Sequence, residues 1–151
     1  NAWRIIPDGV MGGRSTGRFY ADGDGHAIFE GHVSLENNGG FSSVRALIPQ
    51  LEGSNKTGIR IRVKGDGQRY SFRLKDDRDF DGISYAQSFD APKDEWVEIS
   101  LPLDRFKPVY RGRRLQDIPG INSGDIRQTG ILISDKQEGP FQLIIDWIKC
   151  Y

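Results

Sequence analysis

The chain has 151 residues, with 21 Lys or Arg against 21 Asp or Glu, so its formal net charge is zero. A chain of about 150 residues favours one domain, here 1–151, and buries roughly 70% of its unfolded surface, enough for a proper core. Charge balance excludes a general nucleic-acid binder, a single cysteine excludes an internal disulfide and a Cys-rich zinc knot, and no apolar run nears the ~20 residues of a membrane span.

Along the chain the period is two almost everywhere. "AIFEGHVSLE" and "FSSVRALIP" read as the first strands. In "TGIRIRVKGDG", Ile59, Ile61 and Val63 alternate with Arg60, Arg62 and Lys64; in "RYSFRLKD", Tyr70, Phe72 and Leu74 alternate with Ser71, Arg73 and Lys75. Between these two, "KGDGQR" carries the Asp-Gly signal of a tight hairpin. "ISYAQSFDA", "EWVEISLPL", "TGILISDK" and "PFQLIIDWIKCY" continue the series, while "LDRFKPVYRGRRLQDIPGINSGD" lacks alternation and reads as a long loop with one helical turn. About eight or nine short strands with turn signals between them predict an all-β protein, an antiparallel β-sandwich or jelly roll.

The catalytic inventory is thin. Two histidines, His26 and His32, are present, with no nucleophile elbow, P-loop or dinucleotide fingerprint. His26, Glu30 and His32 share strand parity, but zinc usually takes ligands from a turn or from several elements, so a solvated strand face is the better reading. With 21 acids in the chain, no pair can be nominated for glycoside hydrolysis. Trp96 and Trp147 lie in apolar runs and read as core.

"DDRDFDG", Asp76 to Gly82, sets Asp77, Asp79 and Asp81 two residues apart before a glycine, as a calcium loop begins. An EF-hand needs a bidentate acid where Ser88 stands, and helices where the flanks read as strands. The remaining readings are a looser calcium site with Asp77, Asp79 and Asp81 as ligands, or an acidic hairpin tip, the ordinary use of Asp and Gly. The hairpin carries more weight, and no other cofactor is expected.

Arg45, Arg60, Arg62, Arg73 and Lys75 fall at strand positions opposite the apolar face, and Arg111, Arg113 and Arg114 sit in the long loop. Arginines spread across a sheet suit recognition of carboxylates or of a polar protein partner; a solvated face with cross-strand Arg–Asp pairs fits equally.

"DGVMGGRSTG" (8–17) and "LENNGGFSSVR" (35–45) resemble the signature segments of the complex I intermediate-associated protein family, and further matches run in order from Trp3 to Ile148. The resemblance implies a galactose-binding-like jelly roll without catalysis, holding protein partners, the subunits of a respiratory or other membrane complex, during assembly. It is closest to a bare bacterial form of the domain, which implies a place in the cytoplasm or peripheral to the inner membrane of a bacterium. Arg45, Arg62, Arg73, Tyr85 and Gln87 are the expected partner contacts, with parity leaving open whether Tyr85 and Gln87 face the core. The alternative is a carbohydrate-binding module, with an aromatic platform at Trp3, Tyr110 or Tyr85 and calcium at the acidic loop.

Overall fold

Alternation of apolar and polar side chains becomes strand almost wherever it occurs. The computed structural model describes residues 3–7, 16–34, 42–47, 56–76, 82–110, 113–133, 137 and 139–151. Among these, twelve strands follow one another: β1 (Trp3–Pro7), β2 (Thr16–Ala21), β3 (Ala27–Val33), β4 (Ser42–Leu47), β5 (Gly58–Lys64), β6 (Arg69–Lys75), β7 (Ser84–Asp90), β8 (Trp96–Pro102), β9 (Lys107–Tyr110), β10 (Arg113–Arg114), β11 (Gln128–Ile133) and β12 (Gly139–Cys150). Among the described residues, two 3-10 turns, Leu103–Arg105 and Ser123–Asp125, are the helical pieces. No helix among the described residues is long and apolar enough to cross a membrane.

The strands form two antiparallel sheets. One has seven strands in the order β1-β4-β11-β6-β7-β9-β10, the other five in the order β2-β3-β12-β5-β8. Their inner faces meet in one core. Phe29, Ile61, Val63, Leu143 and Ile145 come from the five-stranded sheet, and Tyr70, Phe72, Leu74, Ile131 and Ile133 from the other. Fully burying each such side chain stabilises the fold by about 1.5–3 kcal/mol before the cost of ordering the chain. Phe29 meets Phe141 edge-on at 4.9 Å, and Tyr70 stacks on Phe89 at 5.9 Å.

Two expectations about connections change. "KGDGQR" is not a hairpin, because β5 pairs with β12 and β8 while β6 pairs with β11 and β7, in the opposite sheet. The segment is a corner between sheets. The Asp66 carboxylate takes the Gln68 N–H (3.1 Å), the Tyr70 hydroxyl (3.0 Å) and the Gln142 N–H (2.7 Å). Gly65 passes so close to Ala91 that a Cβ would overlap it. The long segment after Pro102 also holds two short strands, β9 and β10, which extend the seven-stranded sheet beyond β7. β6 and β7 do form a hairpin, so the acidic stretch joins paired strands; Asp77, Asp79 and Asp81 lie outside the described residues.

Candidate functional site

Strand parity sorts the polar side chains of the seven-stranded sheet onto its outer face. One row crosses six strands by backbone register: Arg4, Arg45, Gly130, Arg73, Ala86, Lys107. Lys75, Arg69 and Arg114 stand in neighbouring rows of this face. Among the described outward positions the acid is Asp90, which accepts from Arg69 Nε at 3.0 Å. A chain of zero net charge therefore gathers cations on one surface.

The middle of this face is withdrawn from solvent. Lys75 is 3% exposed and Gln128 5%, although both lie on the outer side, and Ser71 and Ser84 are buried with them. Arg73 is half-buried: its Nε donates to Ser71 Oγ at 2.8 Å and one terminal nitrogen to Ser84 Oγ at 3.2 Å. The hydroxyls come from the two strands of the β6–β7 ladder, with Gly130 and Ala86 as the short register neighbours of Arg73. Lys75 Nζ donates to the Ile83 carbonyl at 3.4 Å, at the base of the acidic hairpin.

The five residues expected as one contact surface separate. Arg45 and Arg73 share the row just described. Tyr85 and Gln87 have the other parity, opposite Leu74 and Phe72, and point inward. Tyr85 is 4% exposed and its hydroxyl donates to the Pro119 carbonyl at 2.9 Å; burial first, then the charges of Asp76 and Asp125, raise its phenol above the ordinary range. Gln87 donates to the Pro102 carbonyl at 3.0 Å. Arg62 belongs to the opposite sheet. Parity within a strand cannot say which sheet the strand joins, hence the mixed set.

The outer face of the five-stranded sheet is built differently. Tyr20, Ile28, Ile144, Lys64 and Trp96 form a row across it. Trp96 and Trp147, expected in the core, are half-buried here under cations: Arg62 and Lys64 lie 5.1 and 5.5 Å from the Trp96 ring centre, and Lys149 4.1 Å from that of Trp147. A bulge in β12 turns Asp146 outward, 3.1 Å from Arg62 Nε and 3.8 Å from His26 Nε2. His26 also reaches Asp22 at 3.0 Å and packs 5.0 Å from Trp96. Glu30 accepts from Gln142 and Arg18, which hold its carboxyl below the usual range. His26, Glu30 and His32 are thus dispersed, and no group of three metal-ligating side chains occurs among the described residues. Opposite charges interleave here, in contrast to the other sheet.

Sequence reasoning missed Arg4 and Lys107, because neither stood in a segment read as a strand. The alternation Arg4-Ile5-Ile6 and Lys107-Pro108-Val109 is too short to show a period.

A family model, Complex I intermediate-associated protein 30 (CIA30), matches residues 1–145. The chain belongs to that family. Over 171 residues it is 26% identical to mouse mitochondrial complex I intermediate-associated protein 30, covering 99% of this chain and 52% of the mouse one. An uncharacterized protein of Schizosaccharomyces pombe is 29% identical over 168 residues, covering 97% and 76%. This member of the family therefore spans about half the length of its mouse relative.

Among solved structures, the family 11 carbohydrate-binding module of the cellulosomal cellulase Lic26A-Cel5E of Clostridium thermocellum superposes with a TM-score of 0.70 at 14% identity, over 96% of this chain and 87% of that one. A family 29 carbohydrate-binding module gives 0.52 at 12% identity, over 99% and 79%. At such identities the likeness is one of fold alone, and the fold of this domain is the galactose-binding-like jelly roll.

Proposed function

We propose that this domain is a non-catalytic binding module that holds a protein partner during assembly of a respiratory or other membrane complex, with the outer face of the seven-stranded sheet as its contact surface. The family membership supports an assembly role. The observation that carries the choice of face is the row of Arg4, Arg45, Arg73 and Lys107 on a chain without net charge. Complementary charge steers encounter and fixes register.

Affinity capture from the source organism's lysate, membranes included, tests the reading. The tagged protein and its Lys107→Glu and Arg45→Ala variants are compared by mass spectrometry. Membrane-complex subunits should be captured by the parent and lost in both variants at unchanged melting temperature. Equal capture by all three proteins would remove this face from the proposal.

A second reading, carbohydrate binding, draws on the half-exposed indoles of Trp96 and Trp147, which share the outer face of the five-stranded sheet with exposed Tyr20. Sugars stacking there would change tryptophan emission, so a flat titration with β-glucan and agarose oligosaccharides counts against it.

A further inference from the structure

The five-stranded sheet ends at β8, and that edge is open. On the other side of the sandwich the two edge strands, β1 and β2, lie against each other, and the edge strand β10 is two residues long. β8 runs for seven residues, with β5 on one side and no strand on the other among the described residues.

Register tells which backbone groups are left over. Leu103 N–H donates to the Thr57 carbonyl at 2.9 Å, one step beyond the Gly58–Pro102 pair, and an antiparallel ladder alternates bonded with unbonded pairs. Val97, Ile99 and Leu101 therefore bond to β5, whereas Trp96, Glu98 and Ser100 turn their N–H and C=O groups away from it.

The side chains along this edge define what fits. Val97 and Ile99 point inward yet are only half-buried, while their partners on β5, Val63 and Ile61, are fully buried. On the outer side Glu98 is exposed and has no ion-pair partner among the described residues. Asp94 and Glu95 precede the strand and Asp104 follows it, all exposed, so acids outnumber the cations Lys93 and Arg105 here. Between Trp96 and Leu101 there is no lysine or proline of the kind that blunts an open edge.

We infer that an extended, basic segment of another protein adds to β8 as a sixth, antiparallel strand of this sheet. Its Lys or Arg side chains lie opposite Glu98 on the outer face, and its apolar side chains cover Val97 and Ile99 on the inner one, so the two kinds alternate along the segment. A second copy of this chain fits less well, because β8 laid against β8 about Glu98 sets two carboxylates directly opposite each other. This edge is separate from the partner face proposed above, and neither depends on the other.

Amide hydrogen exchange, read by NMR on isotope-labelled protein, provides the test, with the peptide Lys-Val-Lys-Ile-Lys-Val-Lys as the probe. In the free protein the N–H groups of Glu98 and Ser100 should exchange quickly and those of Val97 and Ile99 slowly. Saturating peptide should slow Glu98 and Ser100 about tenfold. Methylating the backbone nitrogens of the peptide's lysines, which face β8 in this register, should abolish that protection, and Glu98→Lys should weaken binding about tenfold at unchanged melting temperature. Asp76→Lys, the same charge change just after β6 in the other sheet, should leave binding intact. Slow exchange at Glu98 and Ser100 in the free protein overturns the inference, since the edge is then already covered. Absence of protection by the peptide overturns it, as does binding that survives backbone methylation or Glu98→Lys. Protection that rises with protein concentration alone overturns it too, because the occupant is then a second copy.

Discussion

Asp66 satisfies three donors with one carboxylate, two of them local and one, the Gln142 N–H, distant in the chain. Burial and the adjacent Asp66 charge hold the Tyr70 phenol protonated, so it is fixed as a donor. Hydrogen bonds to a charged acceptor contribute more than neutral ones, and a buried donor left alone costs its full desolvation. Asp66→Ala should therefore lower stability by about 2–3 kcal/mol in urea unfolding, and Asp66→Asn by less, since an amide oxygen still accepts. Glu30 sets an acid limit. Its carboxyl is depressed first by the Gln142 bond and then by Arg18, so its contribution is present above the ordinary carboxylate value, about 4.3, and lost as pH falls through the lower folded one. Melting temperatures of Glu30→Gln should fall less steeply than those of the parent between pH ~5 and ~3; parallel curves would show that the contact adds nothing.

At the scale of elements, alternation located β5, β6, β7, β8, β11 and β12, because each turns one face to the core. It did not locate β9, whose Pro108 interrupts the run, or β10, which is two residues long. Nor did it reveal that "KGDGQR" changes sheets. An Asp-Gly pair makes a tight turn in either setting, and only the distant partners Ala91 and Gln142 decide which. Gly65→Ala tests the corner. Overpacking against Ala91 should cost about 1–3 kcal/mol, whereas a two-residue hairpin tip in solvent would tolerate the methyl group.

For the whole molecule, the fold was legible and the site only in part. Parity placed Arg45 and Arg73 away from the apolar face, and backbone register sets the two in one row through Gly130. Arg62, Tyr85 and Gln87 lie apart from them, because the row is an assembly of six strands whose order β1-β4-β11-β6-β7-β9 has no counterpart in sequence order. The same order has a kinetic consequence. Most ladders join strands far apart in the chain, and loop closure must precede their reward. Stopped-flow refolding followed by tryptophan emission should complete in milliseconds to seconds; a microsecond phase carrying the full amplitude would contradict this topology.

β11 and β12 come after every other strand, yet each sits inside its sheet. β12 joins the β2-β3 pair to the β5-β8 pair, and β11 joins β1-β4 to the strands from β6 onward. On a translating ribosome, both sheets therefore exist as separate ribbons with open edges until these two segments emerge. A chain stopped before Gln128 is not a smaller version of the domain. It is four unjoined ribbons, each offering unpaired backbone to its neighbours on the polysome.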